Sequence, residues 1–226
     1  MVAAALAICA VPGQASDVTG KIRVTSQQKK ADSSGIVISL TPLNPSQSAS
    51  ARRRPVHATL TQKDKTFLPH ILVIPPGSSV DFPNKDPFFH NVFSLFEGKR
   101  FDLGLYESGV SRTVRFERPG VSYIFCNIHP QMNAIVIALD TPYYALVNAD
   151  GLIRIRDVPP GTYSMQIWGE GLNTEEMKSL SRRVTVTGEP LDLGTLEVSA
   201  PESLASHKNK YGRDYDQQTG SPYQPH

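Results

Sequence analysis

The chain has 226 residues, and its 23 Lys and Arg against 21 Asp and Glu give a formal net charge of +2. This near balance argues against nucleic acid or an anionic membrane surface as the main partner. The length is enough for one large globular domain or two small ones.

The N-terminal segment is typical of an export signal. An apolar run over residues 2–11 is followed by Pro-Gly and then by small residues ending near Ala15. Residues 1–16 are therefore predicted to be a signal peptide that is cleaved near Ala15, and the apolar run is too short to span a bilayer. The expected location is periplasmic. Because Cys9 lies inside the signal, the mature chain would keep Cys126 as a lone cysteine with no disulfide partner.

The rest of the sequence predicts an all-β fold. Short runs rich in Val, Ile, Thr and Phe alternate with Gly, Pro, Asn and Asp, the pattern of sandwiches and barrels. The predicted strands are 18–25, 36–41, 56–62, 69–74, 78–82, 89–94, 111–116, 121–126, 134–139, 144–148, 152–157, 162–168, 182–187 and 192–198. At most a turn or two of helix fits around 101–108 or 173–179. The polar residues 200–226 lack any apolar run and are predicted to form a disordered tail.

One short stretch, FCNIHPQM, carries the candidate chemistry. It spaces a thiol, an imidazole and a thioether three residues apart, at Cys126, His129 and Met132. Type 1 copper sites use two imidazoles, one thiolate and a weak axial thioether, so one further histidine is needed. His90 supplies it, because it opens a strand after a Pro-rich turn at the same expected end of the sheet. Cys126 is predicted to end one strand and Met132 to begin the next, with His129 at the tip of the loop.

These motifs carry a resemblance to a known family. The span from about 56 to 139 resembles a cupredoxin, and C-x-x-H-x-x-M is similar to the ligand loop of the amicyanins. The upstream VIPPGSSVDFPNKDPFFHNV is also similar to the cupredoxin pattern of strand, turn and His-Asn. The resemblance implies a Greek-key sandwich over 55–140. It implies one type 1 copper ion and these ligands: His90, Cys126, His129 and Met132.

The resemblance also assigns a supporting role and shows departures. Asn91 is implied to steady the thiolate sulfur through its backbone or its side-chain amide. Amicyanins have aromatic residues two and four positions before the cysteine, whereas this chain has Ile124 and Ser122 there. His57 and His70 lie on other predicted strands and are expected to be ordinary strand histidines.

A second resemblance concerns residues 141–199. The segment ALVNADGLIRIRDVPPGTYSMQIWG resembles the carboxypeptidase regulatory-like domain, a small transthyretin-like β-sandwich. The opening strands of that domain are missing just before this segment. Similar strands occur upstream, so the hypothesis is one discontinuous sandwich, 17–45 with 141–199, interrupted by the 55–140 unit. Strand 36–40 should then pair with strand 143–148 or strand 162–168. The alternative is that 17–45 extends the sheet of the 55–140 unit itself.

The function predicted from this ligand set is electron transfer rather than catalysis. Four protein ligands leave no open position for a substrate, and no catalytic motif accompanies them. The expected partner is a periplasmic redox protein, and the chain is expected to be monomeric and to have no membrane span. The full chain also resembles exported methylamine-utilisation-like or plastocyanin-like proteins. The alternatives are copper storage or delivery, a non-enzymatic binding module, or a metal-free redox-sensing thiol.

Overall fold

The computed structural model describes residues 13–25, 33–95, 98–199 and 209–211. Most of the predicted signal, Cys9 and most of the tail lie outside these residues. The described part contains these elements: β1 Ser16–Thr25, β2 Ile36–Pro42, α1 Pro45–Ala51, β3 His57–Thr59, β4 Thr61–Lys63, β5 Thr66–Leu68, β6 Ile71–Ile74, β7 Ser78–Pro83, β8 His90–Ser94, β9 Phe101–Tyr106, β10 Ser111–Phe116, β11 Gly120–Cys126, β12 Asn133–Ala138, β13 Tyr144–Leu146, β14 Leu152–Val158, β15 Gly161–Gly169, α2 Thr174–Leu180, β16 Arg182–Val186 and β17 Leu191–Ser199. The predicted all-β class is confirmed. Neither helix in the described part has the length or apolar character needed to cross a membrane.

The chain forms two compact units. One combines residues 1–51 with 143–202, and the other combines 52–142 with 203–226, so the second unit interrupts the first in chain order. The first unit has a three-stranded sheet, β14-β1-β17, and a four-stranded sheet, β13-β2-β15-β16. In it, β2 pairs antiparallel with both β13 and β15, which is the pairing expected for strand 36–40.

Alternating apolar residues build the core of the first unit. In β15, for example, Tyr163, Met165 and Ile167 are buried while the residues between them are more exposed. Side chains from both sheets join one apolar cluster, so the sheets pack face to face as a sandwich. The two helices in the described residues are short and capped by asparagine: the Asn44 side chain accepts from the second residue of α1, and Asn173 does the same for α2.

The second unit contains the candidate site. Its sheets have the orders β10-β7-β3 and β6-β12-β11-β8-β9, and β4 and β5 form a separate hairpin. Most pairs are antiparallel, but β3 pairs parallel with β7 and β6 pairs parallel with β12. Val80 and Phe82 from one sheet share an apolar cluster with Val92, Ile124 and Val136 from the other. These contacts make the second unit a sandwich too.

Three parts of the second unit differ from the sequence prediction. The predicted strand 56–62 is broken at Leu60, whose N–H bonds to Asp81 while the following residues turn into the hairpin. Strand β5, within that hairpin, was not predicted. Residues 101–106 form edge strand β9 rather than a turn of helix, and a shift in its pairing with β8 explains the irregular apolar spacing.

Candidate metal centre

Strand register brings His90 and Cys126 to the same place. Strands β8 and β11 are antiparallel neighbours, and Cys126 at the end of β11 lies opposite Val92. His90 precedes Val92 by two residues and therefore lies on the same face of the sheet, because side chains alternate with a period of two. Both His90 and Cys126 are fully buried. The two donors that the sequence assigned to separate segments thus meet at one end of the sandwich.

A tight loop adds His129. The Cys126 N–H donates to the Met132 carbonyl at 3.1 Å, and the Met132 N–H donates to the His129 carbonyl at 3.0 Å. The second bond closes a four-residue turn in which Pro130 occupies the position that favours its fixed φ. Strand β12 begins at Asn133, so Met132 is the last loop residue rather than the first residue of the strand. The Met132 side chain is fully buried in the same apolar cluster as Cys126.

Three donor atoms converge at distances that one metal ion can span. The Cys126 sulfur lies 3.5 Å from Nδ1 of His90 and 3.7 Å from Nδ1 of His129, and the ligand atoms of all three lie within 4.8 Å of one another. An ion with bonds of about 2.0 Å to nitrogen and about 2.3 Å to sulfur separates these atoms by about 3.6 Å at a bond angle of about 115°. The residues present therefore fit a soft metal ion.

The surroundings keep both imidazoles neutral near pH 7. Burial, together with the neighbouring His90 and Lys65, lowers the pKa of His129 to about 4. Burial also lowers the pKa of His90, although a hydrogen bond to Asp86 opposes this. Neutral imidazole is the form that binds metals, so the site needs no deprotonation of either ring.

The pKa of the Cys126 thiol is raised, in contrast to the lowered pKa values of the two imidazoles. Burial raises the pKa of Cys126, although backbone N–H groups of Asn91, Ile128 and His129 donate to the sulfur and lower it in part. The metal-free site therefore holds a protonated thiol at neutral pH. The same N–H groups are in place to stabilise a thiolate once a metal replaces the proton.

Asn91 supports the site through its backbone. Its N–H donates to the Cys126 sulfur, and its carbonyl accepts from the Asn127 N–H at 3.0 Å. The Asn91 side-chain amide instead donates to Asp102 at 2.6 Å and to the Gly104 carbonyl at 3.0 Å. The resemblance implies that Asn91 steadies the sulfur through its backbone or its side-chain amide. In the structure the backbone N–H donates to the sulfur, whereas the side-chain amide donates to Asp102 and Gly104.

A short part of the tail lies against this network. Lys210 donates through its backbone N–H to the Asn127 side chain at 3.0 Å and through its ammonium group to Asp102 at 2.9 Å. Lys210 thereby connects Asn127, which follows Cys126, with Asp102, which accepts from the Asn91 side chain. The prediction of a disordered tail did not anticipate these contacts, and the rest of that segment lies outside the described residues.

An aromatic ring borders both imidazoles. The Phe88 ring centroid lies 5.3 Å from that of His90 and 5.4 Å from that of His129, and the Lys65 ammonium lies 5.5 Å from the Phe88 ring. His129 is half-buried, in contrast to the fully buried His90 and Cys126. Of these three donors, His129 is thus the one with access to the surface.

One residue beside the donor cluster, Asp86, was not predicted from the sequence. Asp86 is buried, and its carboxylate lies 2.8 Å from Nε2 of His90. Its position four residues before His90, inside the Pro-Asn-Lys-Asp-Pro turn, was the only available signal. Two further histidines of the described part lie outside the three-donor cluster: His57 on β3 pairs with Asp81, and His70, in the bend before β6 rather than on the predicted strand, lies near the Asn133 carbonyl.

Comparison with known proteins gives structural neighbours only. No family model matches the chain, and no curated protein matches it. Similar solved structures include a purple cupredoxin from Nitrosopumilus maritimus, with 26% identity, 36% of this chain and 99% of that chain covered, and a TM-score of 0.33. A copper-containing nitrite reductase from Thermus scotoductus has 24% identity, covers 43% of this chain and 27% of its own, and has a TM-score of 0.36. Amicyanin from Paracoccus versutus has 22% identity, covers 45% of this chain and 97% of its own, and has a TM-score of 0.34.

Proposed function

We propose that this protein is a one-electron carrier that binds a single type 1 copper ion. The observation that carries the proposal is the convergence of one sulfur and two Nδ1 atoms at separations of 3.5 and 3.7 Å. The proposed ligands are His90, Cys126, His129 and, as a weak axial ligand, Met132. When bound, copper supplies a Cu(II)/Cu(I) couple that exchanges one electron with a partner.

The donor types favour copper over harder ions. Thiolate and thioether sulfur are soft ligands, while imidazole binds both oxidation states of copper well. The buried Met132 side chain and the buried Cys126 exclude water from the inner side of the centre. Four protein ligands leave no position for a substrate, which favours a carrier over an enzyme.

Different residues of the chain would hold the copper ion and pass the electron to the surface. Strands β8 and β11 hold His90 and Cys126 in a fixed register, so that little rearrangement is needed when the charge of the centre changes. His129, half-buried at the loop turn, provides the path by which the electron reaches the surface. The partner proposed for this surface is another redox protein.

The location and the second sandwich complete the proposal. The apolar N-terminal segment supports export to the periplasm, where a lone thiol needs the protection that burial or a metal provides. The unit that combines 1–51 with 143–202 is proposed to be the regulatory-like sandwich suggested by its sequence, with a non-enzymatic role. The chain is proposed to act as a monomer.

Copper loading tests the function directly. Protein loaded with Cu(II) should show an intense visible absorption from thiolate-to-copper charge transfer, and Cys126→Ser should abolish it. Met132→Leu, which nearly conserves volume, should keep the absorption but shift the reduction potential upward. His70→Ala is the matched control and should retain full absorption. Colour that survives Cys126→Ser would contradict the ligand assignment, and a colourless protein that binds only Cu(I) would favour storage or delivery.

A further inference from the structure

Asp86 is a buried carboxylate held by three donors. Its Oδ1 accepts from the backbone N–H of Asp64 at 2.6 Å, and its Oδ2 accepts from the backbone N–H of Lys65 at 3.0 Å and from Nε2 of His90 at 2.8 Å. The side chain is 4% exposed, and no Lys or Arg side chain in the described part forms an ion pair with it. A buried charge of this kind is costly unless fixed dipoles stabilise it.

The turn of the β4–β5 hairpin supplies those dipoles. Asp64 and Lys65 are its two central residues, and both have positive φ, 53° and 55°. Two successive left-handed residues aim consecutive N–H groups into one concavity, the arrangement that binds anions. Such a hairpin turn normally prefers Asn-Gly, so two residues with side chains adopt a disfavoured conformation here. The two backbone hydrogen bonds to Asp86 offer a physical reason why this turn adopts that conformation.

This contact fixes the position of the proton on His90. Both oxygens of the Asp86 carboxylate already accept from backbone N–H groups, which can only donate, so Asp86 faces Nε2 of His90 as a hydrogen-bond acceptor. Burial alone would raise the pKa of Asp86, but these hydrogen bonds hold it below its ordinary value. A neutral His90 must then carry its proton on Nε2. Its Nδ1 lone pair is left facing the Cys126 sulfur, which is the orientation a metal ligand needs.

We propose that Asp86, held by the Asp64–Lys65 turn, is a positioning residue that locks His90 in the Nε2–H tautomer and places a fixed negative charge behind the metal centre. The second part rests on the proposed copper function, whereas the tautomer does not. A negative charge beside a ligand stabilises the more highly charged ion, so it favours Cu(II) over Cu(I). Asp86 would thus lower the reduction potential of the centre.

The first experiment needs no copper. In the metal-free full-length protein with 15N-labelled histidine, two-bond 1H–15N correlations should show the His90 proton on Nε2. Asp86→Asn should convert His90 partly or wholly to the Nδ1–H tautomer, because an amide can donate to Nε2. Asp81→Asn is the matched control: it removes an equal charge beside another histidine, His57, and should leave His90 unchanged. A proton on Nδ1 of His90 in the unmodified protein would overturn the proposal without any variant.

The second experiment uses copper-loaded protein and reads the potential. Asp86→Asn should change the ratio of Cu(II) to Cu(I) dissociation constants by about tenfold, a rise in potential of about 59 mV. Asp81→Asn should change it far less. An unchanged potential, with the visible absorption retained, would refute the charge effect. If the unmodified protein binds no copper, the proposed function fails, while the tautomer measurement still decides the role of Asp86.

Discussion

Copper binding should release one proton and should therefore depend on pH. In the metal-free protein, burial holds the pKa of the Cys126 thiol above its ordinary value of 9.0. Both imidazoles have a pKa below the ordinary 6.5, that of His129 being about 4. At pH values above the pKa of both imidazoles and below the pKa of the thiol, the thiol is protonated and both rings are neutral. Replacing the thiol proton by copper thus releases one proton for each ion bound.

The release of one proton for each copper ion sets the sign and the size of the pH dependence of the affinity. Protons compete with the metal for the sulfur, so affinity rises with pH throughout the window from about pH 7 to about pH 8.5. One proton for each copper gives a tenfold change for each pH unit, or about 1.36 kcal/mol. Below about pH 4, protonation of His129 should add a second proton and steepen the dependence.

Anaerobic competition against a Cu(I) chelator of known protonation behaviour measures the dependence. The logarithm of the Cu(I) affinity should rise with a slope of about one per pH unit between about pH 7 and about pH 8.5. Cys126→Ser should lower the slope to near zero, because serine does not titrate in this range, and His70→Ala should leave it at one. A slope near zero in the unmodified protein would mean that the thiol is already ionised, and a slope of two would mean that an imidazole is protonated as well.

Two further predictions concern stability. Gly98 and Gly104 both have positive φ, but only at Gly98 would an added Cβ collide with a backbone atom, the carbonyl oxygen of Val121. In denaturant unfolding, Gly104→Ala should cost about 1 kcal/mol and Gly98→Ala about 3 kcal/mol; equal costs would refute the collision. The buried Tyr163 hydroxyl donates to a proline carbonyl at 2.7 Å and accepts from Gln47 at 2.8 Å, so Tyr163→Phe should cost about 1–2 kcal/mol without changing copper absorption.

Strand positions were predictable wherever one face of a strand is buried. Period-two alternation marks β7 and β15, and both were predicted close to their observed bounds. The loop donors were predictable for a related reason. Their spacing is local, and a loop that joins two adjacent antiparallel strands must return its ends to one place.

Edge strand β9 shows where that reasoning fails. Phe101 and Leu103 pack on the core two residues apart, but the next core residue is Tyr106, three positions on. Gly104 has a φ of 68°, and the pairing with β8 shifts in register beside it, as at a bulge. The extra residue changes the phase of the apolar pattern, so the sequence no longer shows a period of two.

Asp86 was missed because its role depends on residues far away in sequence. An aspartate between two prolines reads locally as a turn former, and nothing near it indicates burial. Its partners in the β4–β5 turn lie 21 and 22 positions earlier. Only the tertiary structure brings an unusual pair of left-handed residues against it, so sequence periodicity carries no signal for the contact.

The candidate metal centre depends on sheet register as much as on the donors themselves. His90 faces Cys126 because Val92 lies directly opposite Cys126, and Val92 is fully buried between the two sheets. A one-residue slip of β8 against β11 would turn His90 to the other face and move apolar side chains out of the core. The core that stabilises the sandwich therefore also fixes the sulfur-to-nitrogen distance on which metal binding rests.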